Sequence, residues 1–119
     1  MPRPLTESFR DAFRGIFYLF QTQRNARVHL AITLVAVGAG LWLRLSPLEW
    51  VVLILTISLV LAMEMINTAL EALSDAAITS YHPLVRTAKD VAAGAVLVTA
   101  LGAVVVGLLL FVPRILGLR

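Results

Sequence analysis

The chain alternates between short charged stretches and long apolar runs, and its apolar positions recur at helical spacing. In residues 5–27, Phe9, Phe13, Ile16, Phe17 and Phe20 fall three and four apart, interrupted by Arg10, Asp11 and Arg14. That spacing separates an aromatic face from a charged one and predicts an amphipathic helix lying in a membrane interface. Pro2 and Pro4 discourage helix before it. Residues 28–43 carry no formal charge and are bracketed by Arg27 and Arg44. This predicts a first span over 28–45, slightly short of the usual ~20 residues, with both arginines snorkelling to the interfaces. Ser46-Pro47 predicts a tight turn, and Trp42 and Trp50 on either side of it predict interfacial anchors.

The second span, over 47–75, opens at Pro47, a residue suited to a first helical turn. Its uncharged part covers residues 50–63, but the apolar helical pattern runs on through Glu64, Asn67, Glu71 and Asp75. A polar connector over 76–88 contains His82-Pro83, with Pro83 placed to begin another helix. The third span covers 89–113. Residues 91–112 carry no charge, and their length matches ~30 Å of hydrocarbon. Ala95, Thr99, Ala103 and Gly107 repeat every fourth residue, a small-residue ridge that predicts close helix packing in lipid. The expected fold is an all-α integral membrane protein. It is one domain over 1–119, with three transmembrane helices after an interfacial one.

Composition strengthens this reading. Apolar residues make up 60% and charged residues 14%, against ~45–50% and ~25% in an ordinary soluble domain. A chain of 119 residues cannot hide that much apolar surface in its own core, so lipid is the expected solvent. The basic residues are scattered at segment ends without a basic stripe, which argues against nucleic acid as a partner. There is no cysteine, hence no disulfide or thiolate metal site, and the first residues show no signal-peptide pattern. Arg3, Arg10, Arg14, Arg24, Arg27, Arg86 and Lys89 fall on one side of the expected spans; Arg44, Arg114 and Arg119 fall on the other. Seven against three predicts a cytoplasmic N-terminus and His82 connector, with the C-terminus outside.

The candidate chemistry lies in the second span. Glu64, Asn67, Glu71 and Asp75 are spaced 3, 4 and 4, which puts all four on one helix face. A carboxylate in hydrocarbon costs at least ~2.5 kcal/mol on insertion scales, and three acids in one stripe repel one another. Such a stripe persists only where cations, metals or partner donors neutralise it. Glu64, between Met63 and Met65, is the deepest and is a candidate proton acceptor. Asp75 reads equally as a solvated helix end. Lys89, the only lysine, reads either as a charge partner of the acids or as a positive-inside anchor. Arg86 and Asp90 are four apart and suit a helical ion pair. His29 reads as a hydrogen-bonded interfacial residue rather than a ligand. No phosphate loop, Gly-x-Gly-x-x-Gly or Gly-x-Ser-x-Gly occurs. From the residues alone, an enzyme, a small proton-coupled transporter and a non-catalytic membrane anchor subunit all fit a carboxylate site beside a lysine.

Two stretches carry a resemblance. Glu64-Met65-Ile66-Asn67-Thr68-Ala69-Leu70-Glu71-Ala72-Leu73-Ser74-Asp75 resembles the Glu-x-x-Asn-Thr-Ala-x-Glu-x-x-x-Asp motif of the prokaryotic diacylglycerol kinase family, which includes the undecaprenol kinases. His82-Pro83-Leu84-Val85-Arg86-Thr87-Ala88-Lys89-Asp90-Val91-Ala92-Ala93-Gly94-Ala95-Val96 resembles its second motif. Ser8-Phe9, Arg14-Gly15-Ile16 and Arg24-Asn25 are similar to its amphipathic start. The resemblance implies a lipid kinase of the bacterial inner (cytoplasmic) membrane, a homotrimer with active sites shared between protomers. It implies Mg²⁺ with ATP as phosphoryl donor and a membrane lipid alcohol as acceptor. The His-Pro-Leu opening and the Ala-Lys-Asp-x-Ala-Ala-Gly-Ala-Val run look more like the undecaprenol kinases, so undecaprenol is favoured over diacylglycerol. By the same resemblance Glu64 is the catalytic base, Glu71 a metal ligand, and His82, Lys89 and Asp90 contact nucleotide. Asn67, Asp75, Ser8 and Arg14 support the site. Where the family commonly carries a second metal-binding Glu before Arg-Asn, this chain has Gln23, whose amide oxygen can coordinate magnesium but brings no charge.

Overall fold

The computed structural model describes residues 2–118 and is all-helical in its regular structure. Helix α1 spans Leu5–Thr22, α2 Arg24–Leu43, α3 Pro47–Ala77 and α4 Pro83–Ile115. The last three are long and apolar enough to cross a membrane.

The amphipathic stretch expected over 5–27 stops at Thr22. Gln23 takes an extended conformation (φ −110°, ψ 113°) and ends one helix while opening the next. Its N–H donates to the Leu19 carbonyl at 2.9 Å, and its own carbonyl accepts from Arg27 N at 3.3 Å. The Arg27 guanidinium turns back onto the Phe20 and Gln21 carbonyls (3.5 and 3.3 Å). It therefore caps α1 as well as bordering the apolar run, because the last carbonyls of a helix lack intrahelical donors.

The α2–α3 hairpin is closed by local chemistry. Arg44 takes the left-handed conformation (φ 57°) that ends α2, and Leu45 N donates to the Gly40 carbonyl at 3.1 Å. Ser46 and Glu49 then form a capping box: Glu49 N donates to Ser46 Oγ at 3.2 Å, and Ser46 N donates to Glu49 Oε1 at 3.0 Å. The two tryptophans expected as a pair of anchors behave differently. Trp42 is 82% exposed, whereas the half-buried Trp50 lies over Gly40, where an added Cβ would stand 2.9 Å from the Trp50 ring and 3.0 Å from Leu45 Cδ1. Gly40 is needed because the indole occupies the space a side chain would take.

The α3–α4 connector is only residues 78–82, not 76–88. Ala76 and Ala77 extend α3, and Pro83 starts α4 behind His82, whose Nδ1 accepts from Leu84 N at 3.1 Å. The largest helix–helix interface joins α3 to α4. At the Ser46 end, Leu45, Leu53 and Leu110 form a small core with Ala36, Trp50, Ile57, Val106 and Phe111 against it. Most large apolar side chains, among them Leu97, Val98, Leu101 and Leu109, face outward, as they do in lipid-embedded helices.

Arg114 ties three helix ends together. It donates to Glu49 Oε1, to Glu49 Oε2 at 3.3 Å, and to the Leu43 carbonyl at 3.0 Å. The Ala103–Gly107 part of the α4 ridge does not pack closely within one chain. A Cβ on Gly107 would meet nothing within 4 Å. Ala103 and Gly107 instead line, with Ala36 and Ala39, an apolar groove of about 390 Å³ between α2, α3 and α4. Small residues there remove bulk from one wall without the helices closing the gap.

Gly40→Ala tests the hairpin packing. A methyl driven against the indole is expected to destabilise the protein by roughly 1–3 kcal/mol, an overpacking cost, measured by reversible unfolding in detergent micelles. An unchanged unfolding free energy would mean that Trp50 moves aside at no cost.

Candidate active site

α3 carries the acid stripe from an apolar layer to water. Glu64 is 3% exposed, Asn67 and Glu71 are half-buried and Asp75 is exposed. Glu64 lies about 22 Å along the helix from Glu49 and about 16 Å from Asp75, at 1.5 Å per residue. It is therefore in the interior of α3, directly after the uncharged stretch 50–63.

α2 brings His29 to this point. Its Nδ1 lies 3.0 Å from Glu64 Oε1, but the pair does not meet the angular limits of a formed hydrogen bond. Asn67 Oδ1 and Thr68 Oγ1 are likewise buried without a partner. The Thr68 hydroxyl is unlike those of Thr22, Thr56, Thr87 and Thr99, each of which bonds back to a carbonyl of its own helix. Among the described residues, four buried polar atoms on two neighbouring helices have no partner, which is costly in an apolar layer and marks a site where polar chemistry is retained. His29 also lines the end of the apolar groove that continues past Thr33, Thr56 and Ile57 to Phe111. α1 lies along the other side of the stripe, where Gly15, Tyr18 and Leu19 meet Met65, Thr68, Ala69 and Ala72.

At the water end, Lys89 Nζ donates to Asp75 Oδ1 at 2.5 Å across the α3–α4 corner. Asp75 is exposed and Lys89 half-buried, so solvent screens the pair and it serves mainly to position the ammonium. Arg86 and Asp90 pair at 3.4 Å one turn apart on exposed α4. His82 caps α4 through Nδ1. Arg14 pairs with Asp11 at 3.6 Å, and Ser8 lies on the same exposed helix. Among the described residues neither Ser8 nor Arg14 has a hydrogen bond or ion pair to an α3 acid. Gln23 is half-buried at the α1–α2 break, with its amide nitrogen 3.3 Å from Thr22 Oγ1.

Among the described residues no three His, Cys, Asp or Glu side chains gather in one place. Glu71 and the unpartnered Asn67 oxygen are hard donors one helical turn apart. This set fits magnesium, which takes one or two carboxylates, keeps waters and shares phosphate oxygens, better than a metal that needs a closed protein cage.

Residues 10–111 match the family model described as prokaryotic diacylglycerol kinase. The chain belongs to the prokaryotic diacylglycerol kinase family. Relatives within this family include a diacylglycerol kinase of Synechocystis, 45% identical over 96% of this chain and 66% of the relative. The undecaprenol kinase of Bacillus subtilis is 38% identical over 92% and 89%, and the diacylglycerol kinase of Escherichia coli K12 is 36% identical over 79% and 77%. The chain thus spans just under two thirds of the Synechocystis relative's length.

Two acid partnerships escape sequence reasoning. His29 and Glu64 are 35 positions apart on different helices, and no periodicity links them. Glu49 and Arg114 are 65 apart, and only the fold brings them together. A hint existed in each case, since a His just inside a span and a Glu at the start of one both need partners.

If the Glu64 carboxylate is kept at a cost to the fold, an apolar replacement should stabilise the protein. Glu64→Met is expected to raise the unfolding free energy by roughly 1 kcal/mol or more. Detergent unfolding monitored by circular dichroism measures it. A lower value would show that Glu64 holds the helices together.

Proposed function

We propose that the protein transfers the γ-phosphoryl group of ATP to the hydroxyl of a membrane lipid alcohol, with undecaprenol as the preferred acceptor. The observation that carries this reading is the buried, incompletely partnered Glu64 carboxylate within the family's motif, facing His29 at the end of an apolar groove. A lipid chain in that groove would bring its head toward His29 and Glu64. Glu64 takes the hydroxyl proton as the lipid oxygen bonds to the γ-phosphorus. The bond from that phosphorus to the β–γ bridging oxygen breaks, and ADP leaves. Positioning and charge neutralisation supply most of the catalysis in such transfers.

Lys89 offsets phosphate charge by exchanging its Asp75 partner for a phosphate oxygen. Glu71, with Asn67 beside it and Gln23 as a neutral candidate from the α1–α2 break, would hold magnesium, which neutralises phosphate charge when bound. His82 and Asp90 are assigned to the nucleotide, and Ser8 and Arg14 to supporting contacts, on the family motifs alone. The same reading places the protein in the bacterial inner membrane as a homotrimer with shared sites. The α1 aromatics Phe9, Phe13 and Phe17, all exposed, then lie in the interface on the cytoplasmic side. Undecaprenol is favoured by the His-Pro-Leu and Ala-Lys-Asp run and by the Bacillus subtilis relative. Diacylglycerol is the second reading, supported by the name of the Synechocystis relative.

Lipid-dependent ADP release from purified protein, assayed in parallel with both acceptors, tests the proposal. We expect a higher kcat/KM for undecaprenol, and less than about a tenth of wild-type turnover for Glu64→Gln, a loss of at least ~1.4 kcal/mol. Phosphorylation of neither lipid by folded protein overturns the kinase reading, and a preference for diacylglycerol reverses the acceptor. A magnesium titration addresses Gln23 separately. Gln23→Glu adds an anionic oxygen and should lower the magnesium concentration for half-maximal activity, with little change in turnover at saturation. An unchanged midpoint places Gln23 outside the metal shell.

A further inference from the structure

We propose that His29 is a positioning residue for phosphoryl transfer: its Nδ1–H donates to Oε1 of Glu64 and holds the carboxylate so that its second oxygen accepts the lipid hydroxyl proton. This deepens the proposed function and rests on the reading of Glu64 as the base.

Three observations carry it. The two atoms face each other at 3.0 Å, and among the described residues each is buried with no other partner. Among the described residues, His29 is the only basic side chain within 4 Å of Glu64. His29 also lines the end of the apolar groove, so it borders both the carboxylate and the path proposed for the lipid chain.

The chemistry of an imidazole suits this place. A carboxylate among Met63, Met65 and Ile66 has no neighbour in sequence able to fix its torsions. A permanent cation would fix it but would stabilise the anion and weaken it as a base. That is the arrangement at Glu49, where Arg114 makes a structural clamp. A neutral imidazole protonated on Nδ1 supplies a directional donor without a full charge. The pair is out of line by angle rather than distance, so the bond can form by reorientation of the two side chains without bringing the helices closer. Catalytic hydrogen bonds commonly tighten in this way once substrate is bound.

Steady-state kinetics on purified variants in mixed micelles, with ATP and undecaprenol varied in turn, tests the assignment. His29→Ala should lower kcat about tenfold or more, the scale of a misplaced catalytic group. KM for ATP should stay within about twofold, because the lost contact acts in the transition state. His29→Asn places an amide N–H near the Nδ1 position and should recover most of the turnover, whereas His29→Gln, whose amide reaches toward the Nε2 position, should not. In a Glu64→Gln background, His29→Ala should cost nothing further. If Glu64→Gln itself retains wild-type turnover, the base reading fails. If Glu64→Gln is inactive while His29→Ala turns over normally, the base stands and the positioning role is overturned. Should His29→Ala fail to fold, the Asn and Gln pair decides: equal turnover of these two variants, high or low, also overturns the role.

Discussion

A carboxylate withdrawn from water must be partnered within the protein or remain a standing cost. Helix α3 carries two such groups about 22 Å apart, at 1.5 Å per residue, and they are treated in opposite ways. Glu49 is enclosed by the Ser46 N–H and the Arg114 guanidinium, so its acceptor capacity is largely used. Glu64 has one imidazole facing it out of line, and the buried polar atoms of Asn67 and Thr68 nearby have no partner among the described residues. The division separates a structural end of the molecule from a chemical one.

The structural end explains how so small a buried core can hold three long helices in register. Few apolar side chains are buried, and lipid gives no hydrophobic drive for helices to associate. Arg114 compensates by joining the Leu43 carbonyl at the end of α2, Glu49 at the start of α3 and its own position near the end of α4. Gly40 under Trp50 closes the α2–α3 hairpin beside it. With those ends fixed, residues near the other ends are brought to matching depths, among them His29 on α2 and Glu64 on α3. Lys89 then meets Asp75 across the short α3–α4 corner.

The chemical end has the opposite character. Its polar groups run from a buried acid to an exposed Asp75, paired with the half-buried Lys89, along one face of α3. This gradient suits the proposed reaction, whose acceptor is confined to lipid and whose donor arrives from water. The groove lined by Ala36, Ala39, Ala103 and Gly107 adds an apolar approach to the deep end of that face. Ala103 and Gly107, half of the packing ridge expected from the sequence, thus act within one chain as part of the wall of an open space.

The sequence by itself determined the helical class, the three apolar spans, the acid stripe and the family, because each rests on local period, length or contiguous motif. Glu64, Asn67, Glu71 and Asp75 share a face by spacing alone, and the Pro83 start and the Ser46-Pro47 turn follow from local backbone chemistry. Tertiary structure decided which charges meet. It joined His29 to Glu64, Arg114 to Glu49 and Lys89 to Asp75, and it set Trp50 on Gly40 while leaving Trp42 exposed. It also moved the helix break to Gln23, where a single extended residue could serve two helix ends. Periodicity tells which side of a helix a residue occupies, but not which helix faces it or at what depth. The partners of a buried carboxylate lie one or two helices away, and only the packing of those helices sets the distance.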